Sequence, residues 1–520
     1  MTDRGIVTRK ATGLVRAVGP TGAFAFGMFA LNLGLPVTYM MLFVPAFYPG
    51  ADLGISVLLT GVICIFIAIM YWTLSVSMPR SGGDYVYNTR ILHPSIGFAF
   101  SWAYVFFPLF YTGWAAWAIT TQGLSPLFYV LSVQTGDPTF AAINTTLADP
   151  IVIFLIGAIL LILTYVVLVT GTRRTFLLTN LVFFAGMFTT IVMIVLMATS
   201  SREAFMTNLA SLAGVDYKAT IDEAVAQGFV SNAPFDWTST INSMVWPWFM
   251  FPFAVQSVFF AGEIKDIRKS ELIGIVGSTT FSIVMCLLIW YLSLSTFGYE
   301  FLGAVGWTGA FPVFPFLNVL AALLTRNPVV SAIVAASLIL WPYGWFFTGL
   351  LPGSRSMFAW GIDRVVPEAV TKVSAKWHTP TVSYGLSVVI ALIFLAGITF
   401  TPYFGALSGM VGFGLCYIVA GISGILFPYV LKDIYNRSPA KIQVGRLPLV
   451  TLCGIVTLIS SAYLSYRTIV DDFAFANNPM SLATIAAIFV LGFAIWIGAY
   501  FIRKSQGIDI LAAYRELPIE

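Results

Sequence analysis

Charge is what this chain most lacks. Only 9% of its 520 residues are Asp, Glu, Lys or Arg, 59% are hydrophobic, and the mean hydropathy is +0.91. Soluble domains carry about 25% charged residues. A water-soluble fold of this length could not cover its surface with so few, so its natural solvent is a lipid bilayer. Histidine is almost missing: His93 and His378 fall in charged connections and cannot form a metal site alone. The four cysteines, Cys64, Cys286, Cys416 and Cys453, lie in apolar stretches without Cys-x-x-Cys or metal-ligand spacing, which points to packing. No acidic residue falls in the middle of an apolar stretch. An enzyme embedded in the membrane would need clustered polar groups there, so no enzyme and no cofactor is expected. The chain has no ATP-binding loop, which argues against primary transport, and no repeated charged or carbonyl filter of the kind channels use. Its basic residues follow the loops and form no dense patch, so no nucleic-acid partner is expected.

What is present is length and greasiness. A spanning helix needs about 20 mostly apolar residues. Twelve segments qualify: 17–46, 53–77, 95–125, 150–170, 175–199, 240–263, 271–298, 329–355, 381–400, 403–430, 447–469 and 481–502. They are continuously apolar and lack the alternation of barrel strands. With the N-terminus in the cytoplasm, all but four of the 26 basic residues fall inside; Arg202, Lys218, Arg326 and Arg467 fall outside. That asymmetry supports twelve spans, with residues 1–16 and 503–520 both cytoplasmic. The basic start (Arg4, Arg9, Lys10, Arg16) leads into span 1. The acidic connection 200–239 is expected as an extracellular loop with a short surface helix.

Two spans carry breaks. Span 1 contains FALNLGLPVTYM, with Asn32, Gly34 and Pro36 midway along it. Span 6 contains VWPWFMFPFAVQSVFF, with Pro247 and Pro252. Proline removes a backbone donor, and glycine tolerates non-helical angles. Unwound backbone at membrane depth must be buried in protein or line a cavity. There it offers N–H groups to a carboxylate and carbonyls to an ammonium or a cation. A single break has a plain alternative, the proline kink. Breaks in spans 1 and 6, which cross in opposite directions, fit an inverted repeat of spans 1–5 (17–199) and 6–10 (240–430), followed by spans 11 and 12 (447–502). Two connections correspond in the same way: MPRSGGDYVYNTR inside, and GYEFLGAVGWTGAFPVFPFLN outside. The first, with Gly82, Gly83 and Tyr85, is expected as a gate-associated loop.

The stretch MPRSGGDYVYNTRILHPSIGFAFSWAY resembles the Pro-x-Ser-Gly-Gly-x-Tyr and Gly-Phe-x-x-x-Trp pattern of amino acid permeases in the amino acid–polyamine–organocation (APC) superfamily. Pro79, Ser81, Gly82, Gly83, Tyr85, Gly97, Phe98 and Trp102 carry it. AGEIKDIRKSE is similar to the family's segment after span 6, at Glu263 and Lys265. The stretch after span 8 is similar at Ser354, Arg355, Asp363, Pro367, Thr379 and Pro380. The resemblance implies an all-α polytopic membrane protein: a LeuT-type 5+5 inverted repeat with broken helices 1 and 6, plus two C-terminal helices. It also implies alternating access, with a substrate's amino and carboxylate groups held at the breaks. The chain departs from the pattern at three places: Asn32-Leu33-Gly34 replaces a Gly-x-Gly break, Phe251-Pro252-Phe253 replaces a small glycine, and Gly186 stands where some relatives have a proton-linked lysine.

These readings define the expected site. Asn32, Leu33, Gly34, Trp248, Phe251, Pro252, Phe253 and Gln256 are the candidate substrate contacts. Without a mid-span charge, a neutral apolar or aromatic amino acid fits better than a cationic or acidic one. A permease for nucleobases or other small nitrogenous solutes or amines on the same fold is the alternative, with Asn32 and Gln256 reading base edges. Coupling to sodium or to protons is left open; Thr348 and Ser354 are the hydroxyls nearest a sodium site of the family's type. Arg355 and Asp363 form a cytoplasmic gating pair or serve as topology charges. The expected location is the plasma membrane.

Overall fold

The computed structural model describes residues 14–517 except 406 and 475. Arg4, Arg9 and Lys10, and the last three residues of the tail, lie outside the described residues. Among those described, eleven helices are long and apolar enough to cross a membrane. Their surfaces show why. Along α7 (Pro150–Val169), Ile151, Leu155, Ile159, Leu163 and Val166 are half or more exposed. Along α8 (Thr172–Thr199), Leu177, Leu181, Phe184, Phe188, Ile191 and Val195 repeat the pattern. Each set is a stripe at helical spacing. In water such stripes would bind another surface; in a bilayer they face lipid.

Span 1 is two helices, α1 (Pro20–Leu31) and α2 (Leu35–Phe47), separated at Asn32–Gly34. The chain continues as α3 (Leu53–Ser77) and the short buried α4 (Asp84–Ile91). Next comes α5 (Pro94–Ala118), which runs through a π-turn at Ile119–Leu124 into α6 (Ser125–Thr135). Span 3 is therefore longer than the sequence suggests. A single Gly171 turn joins α7 to α8. Span 6, expected over 240–263, holds no long helix. It is a short helix over Trp237–Asn242, one turn of α-helix, α9 (Val245–Trp248), then a 3₁₀ segment over Phe251–Phe259 and a final turn at Ala261–Glu263. The remaining long helices are α10 (Ser278–Thr296), α11 (Ser337–Ile362), α12 (Thr381–Phe400), α13 (Met410–Val430), α14 (Leu449–Val470) and α15 (Pro479–Ser505). Span 10 begins later than expected, because Pro402–Gly405 is a separate turn.

The two described chain ends meet the same face of the molecule, here called the terminal face. Ala17 and Val18 donate backbone bonds to the Glu263 carbonyl, and Lys265 returns one to Val18. At the other end Arg503 donates to the Arg364 carbonyl. The opposite, loop face carries the connection 200–239. Its helices Arg202–Asn208 and Tyr217–Ala226 lie against the connection before α11. The Tyr217 ring stacks on Phe301 at 4.5 Å, and its hydroxyl donates to the Phe297 carbonyl at 2.8 Å.

The MPRSGGDYVYNTR segment is not a solvated turn. Ser81 pairs with Phe260 as an isolated antiparallel bridge, and the Gly82 N–H donates to the Phe259 carbonyl at 2.8 Å. It docks as a rung against the end of span 6. The fit requires both glycines. Gly82 has φ +105, and a Cβ there would lie 2.7 Å from the Ala359 Cβ. Gly83 has φ +47, and its Cβ would lie 2.9 Å from Val258 and 3.0 Å from Phe259. Such angles cost a side-chain-bearing residue about 1–3 kcal/mol before any clash. Gly82→Ala is therefore expected to lower stability by ~2 kcal/mol or more, whereas Gly498→Ala, with nothing within 4 Å of its Cβ, stays near neutral. Thermal unfolding of the purified variants in one detergent checks the contrast.

Candidate functional site

The break in span 1 is built by Asn32. Its backbone is left-handed, φ +61, a conformation Asn tolerates better than most residues. This stops α1. The Oδ1 then accepts the N–H of Gly34 at 3.0 Å and of Leu35 at 3.3 Å, capping α2. The Nδ2 donates to the Trp341 carbonyl on α11 at 3.1 Å. The side chain is fully buried, so one residue ends one helix, starts the next and ties both to a third. The N–H groups of Gly34 and Leu35, expected to await a carboxylate, are taken by this amide.

The break in span 6 is satisfied from α13. The Tyr417 hydroxyl donates to the Pro252 carbonyl at 3.0 Å, and the Tyr104 and Tyr417 hydroxyls sit 3.1 Å apart. Trp248 and Phe251 are buried, Trp248 edge-on to Tyr417. Phe253 meets the Phe413 ring edge-to-face at 4.7 Å.

Between these elements lies a cavity of ≈ 390 Å³. Ala30 and Tyr39 line it from span 1, Pro108, Tyr111, Trp114 and Gln122 from span 3, and Trp246, Phe249, Phe253 and Gln256 from span 6. Trp345, Thr348 and Gly349 close it from α11, and Ser408 and Phe413 from span 10. The lining reaches from mid-span toward the loop face, as Ala30-to-Phe43 along span 1 and Phe314 and Ala474 in the loop-face connections show. None of the described lining residues is charged. The wall is largely aromatic, with Trp114 and Trp345 at 5.9 Å and Tyr111 stacked with Phe413 at 6.1 Å. Its polar groups are few. Tyr39 and Gln122 bond each other at 2.8–3.0 Å. Gln256 Oε1 and Ser408 Oγ are buried without a hydrogen-bond partner among the described residues. Such atoms are costly to bury unpaired; both oxygens are shielded by their neighbours, so a ligand in the cavity reaches them only after a side-chain rotation.

Of the expected contacts, the structure brings Phe253 and Gln256 to the cavity wall. Asn32, Trp248, Phe251 and Pro252 lie behind it, and Leu33 and Gly34 face a separate small void with Trp341 and Thr190. Thr348 lines the cavity, while Ser354 donates to the Leu351 carbonyl of its own helix at 2.8 Å and accepts from Arg355. The two hydroxyls do not converge. No group of three or more His, Cys, Asp or Glu able to hold a metal occurs among the described residues. The indole of Trp341 packs 3.5 Å from where a Cβ on Gly186 would stand, and its Nε1 donates to Thr190. Sequence reasoning missed Tyr39, Tyr111, Trp114, Gln122, Trp345 and Ser408. The ITTQG run inside apolar span 3, now the π-turn, was the available signal for Gln122.

The terminal face is shut by two buried ion pairs. Arg355 donates to Glu263 at 2.5 and 3.0 Å, and Thr172 donates to the same carboxylate at 2.8 Å. Arg90 grips Asp363 at 2.7 and 3.1 Å. Arg355 and Asp363 thus do not pair with each other; each takes a partner from another element. Tyr85 stands beside the second pair, its hydroxyl 3.1 Å from that of Tyr514. On the loop face, Phe473 stacks on Phe47 at 4.7 Å and Asp471 accepts the Tyr48 hydroxyl at 2.8 Å. Removing one partner of a buried ion pair strands the other charge, at about 3–5 kcal/mol, whereas an apolar replacement of both is often neutral. Glu263→Gln is therefore expected to destabilise by that amount, and Glu263→Met combined with Arg355→Met to recover most of it. Chemical denaturation of the three proteins in detergent measures both.

No curated protein matches the chain at a significant level. The amino acid permease family matches it over residues 24–494, nearly its whole length and the whole cavity. A charge-free cavity between two broken spans, in a bundle that exposes apolar stripes, is therefore the interior of a multi-pass membrane protein that belongs to the amino acid permease family.

Proposed function

We propose that this protein is a secondary transporter that moves neutral amino acids, apolar or aromatic in side chain, by alternating access. The observation that carries the reading is the cavity itself. It falls within the roughly 300–1,000 Å³ of small-molecule sites, is walled by aromatic rings, and offers two orphaned polar atoms, Gln256 Oε1 and Ser408 Oγ. A cationic or acidic side chain would enter it without a counter-charge. The ammonium of a zwitterion matches the Gln256 oxygen, and the Gln256 amide and the Ser408 hydroxyl can donate to its carboxylate.

Two buried ion pairs shut one face while the cavity extends toward the other, so substrate enters from the loop face in this conformation. The loop face is extracellular by its scarcity of basic residues, which puts both termini in the cytoplasm of a plasma-membrane protein. Movement of substrate then requires the terminal-face pairs to part.

A ligand that binds only the folded protein raises its unfolding temperature. Neutral aromatic and large aliphatic amino acids are expected to do so in detergent, and lysine or glutamate not. Gln256→Ala is expected to weaken that binding by ~1.5–3 kcal/mol, about ten- to hundredfold in Kd. Stabilisation by nucleobases or simple amines alone would replace the substrate class, and running the panel with and without sodium tests the coupling ion.

A further inference from the structure

Asp84 follows the two glycines of the docked segment and opens α4. It is 2% exposed. Tyr71 of α3 donates to its Oδ2 at 3.0 Å, while its Oδ1 is buried with no hydrogen-bond partner among the described residues. No described cation forms an ion pair with it, and the cations of its surroundings are engaged elsewhere. Arg90 on α4 holds Asp363, the residue just past α11, and Arg355 of α11 holds Glu263. Arg80 donates to the Pro79 carbonyl. The other titratable groups that face it are neutral hydroxyls and a thiol: Tyr104 of α5, and Tyr417 and Cys416 of α13. Next to Asp84 at the start of α4, Tyr85 meets Tyr514 of the C-terminal turn. A second carboxyl, Glu271, accepts from Ser75, one turn along α3 from Tyr71, and from Ser257 of span 6.

An unpaired carboxylate in such a place is far costlier than a carboxylic acid. Burial lifts the Asp84 carboxyl from 3.8 to about 7, against the opposing effect of the Tyr71 hydrogen bond. The segment that carries it is the one that docks Gly82 and Gly83 on Phe259 and Val258. Parting that dock admits water to Asp84 and returns it to ordinary carboxylate behaviour.

We propose that Asp84 is a proton-binding site that latches the terminal-face seal: it is protonated while the segment 81–84 is docked on span 6, and it loses its proton to terminal-side water when that dock opens. The proton on the carboxyl passes to water, leaving the carboxylate solvated. Nothing else is consumed.

The sign follows from linkage. A carboxyl whose affinity for protons is higher in the closed form favours that form as pH falls. The bias is absent above about pH 7. It grows by about tenfold per pH unit below that, until the ordinary carboxylate range is reached. Proton binding thus closes the terminal face, and the inference rests on the alternating-access reading above.

The test uses a reporter thiol at Ser81→Cys, 1% exposed in the closed seal, in protein reconstituted in liposomes. Its labelling by a polar maleimide from the terminal side is normalised to Ser505→Cys on the exposed end of α15. The normalised rate is expected to rise about tenfold per pH unit from about pH 5 to pH 7 and then level off. Asp84→Asn, a permanent mimic of the acid, should abolish the slope and keep labelling slow. Tyr71→Phe removes a bond that favours the carboxylate, so it should move the midpoint to higher pH. An infrared titration of the protein should show protonated-carboxyl absorption that disappears near pH 7, with an Asp84 component read as the difference between the wild-type protein and Asp84→Asn, Glu271 supplying the remainder. An unchanged slope in Asp84→Asn, or an unmoved midpoint in Tyr71→Phe where Asp84→Asn fails to fold, overturns the latch. A band that titrates without any change in labelling overturns it as well. A reporter unlabelled at every pH, with and without amino acid, counts against opening of this face. That outcome removes alternating access and the latch together, and so is told apart from a face that opens independently of pH.

Discussion

Backbone that leaves the helix inside a bilayer must find its hydrogen bonds within the protein, and the architecture here depends on how two breaks meet that demand. In span 1 the donors of α2 are met by a side chain three positions upstream, Asn32, whose own amide anchors to α11. In span 6 the exposed Pro252 carbonyl is met from α13 by Tyr417. Each break is thus fastened to a helix from elsewhere in the bundle. The cavity lies where those four elements and α5 converge. It exists because the broken spans cannot pack as straight rods. It stays charge-free because the breaks are satisfied by neutral groups.

Among the described residues, the two fully buried ion pairs lie at the terminal face. Arg355–Glu263 and Arg90–Asp363 are buried and bidentate, so each contributes little net stability when intact and much instability when broken. That asymmetry suits a seal: the closed state is well defined, and an intermediate with one partner displaced is disfavoured. The loop face uses a different chemistry, the Phe47–Phe473 stack and the Tyr48–Asp471 hydrogen bond. Aromatic contacts slide at lower cost than ion pairs part, in keeping with a cavity that reaches toward this side.

The bilayer environment and the two breaks were legible because both are written in single-residue chemistry. Charge depletion, Pro36, Pro252 and Asn32 each constrain the backbone wherever they stand. The docking role of Gly82 and Gly83 was legible only as a pattern: that they accommodate Val258, Phe259 and Ala359 depends on residues more than a hundred positions away. The cavity wall was the least legible part. Gln256 and Phe253 could be found beside the prolines, but Tyr39, Trp114 and Trp345 sit in runs where nearly every turn carries an aromatic ring. Which ring faces the cavity and which faces lipid is decided by helix rotation. Asn32 illustrates the converse. Its polarity marked an important position, and the structure uses that polarity to hold the break together. The ion pairs show the same limit. Arg355 and Asp363 stood out as charges near one another in sequence, yet each is neutralised by a residue from a different element.

The second half of span 6 brings these constraints together. Its nine residues, Phe251–Phe259, form a 3₁₀ helix, a geometry seldom sustained beyond about four residues. At about 2.0 Å per residue, against about 1.5 Å for an α-helix, it reaches several ångströms farther. That reach lets a short segment run from a mid-membrane break to the terminal face. Much of what closes that face bears on it or on the turn that follows: Gly82 on Phe259, Ser81 on Phe260, Glu271 on Ser257, and Arg355, Thr172 and Val18 on Glu263. At its other end, Phe253 and Gln256 form part of the cavity wall. A stretch of poor helical geometry is therefore held extended by contacts at one end and shapes the cavity at the other. The same nine residues thus carry both side chains of the cavity wall and contacts of the seal.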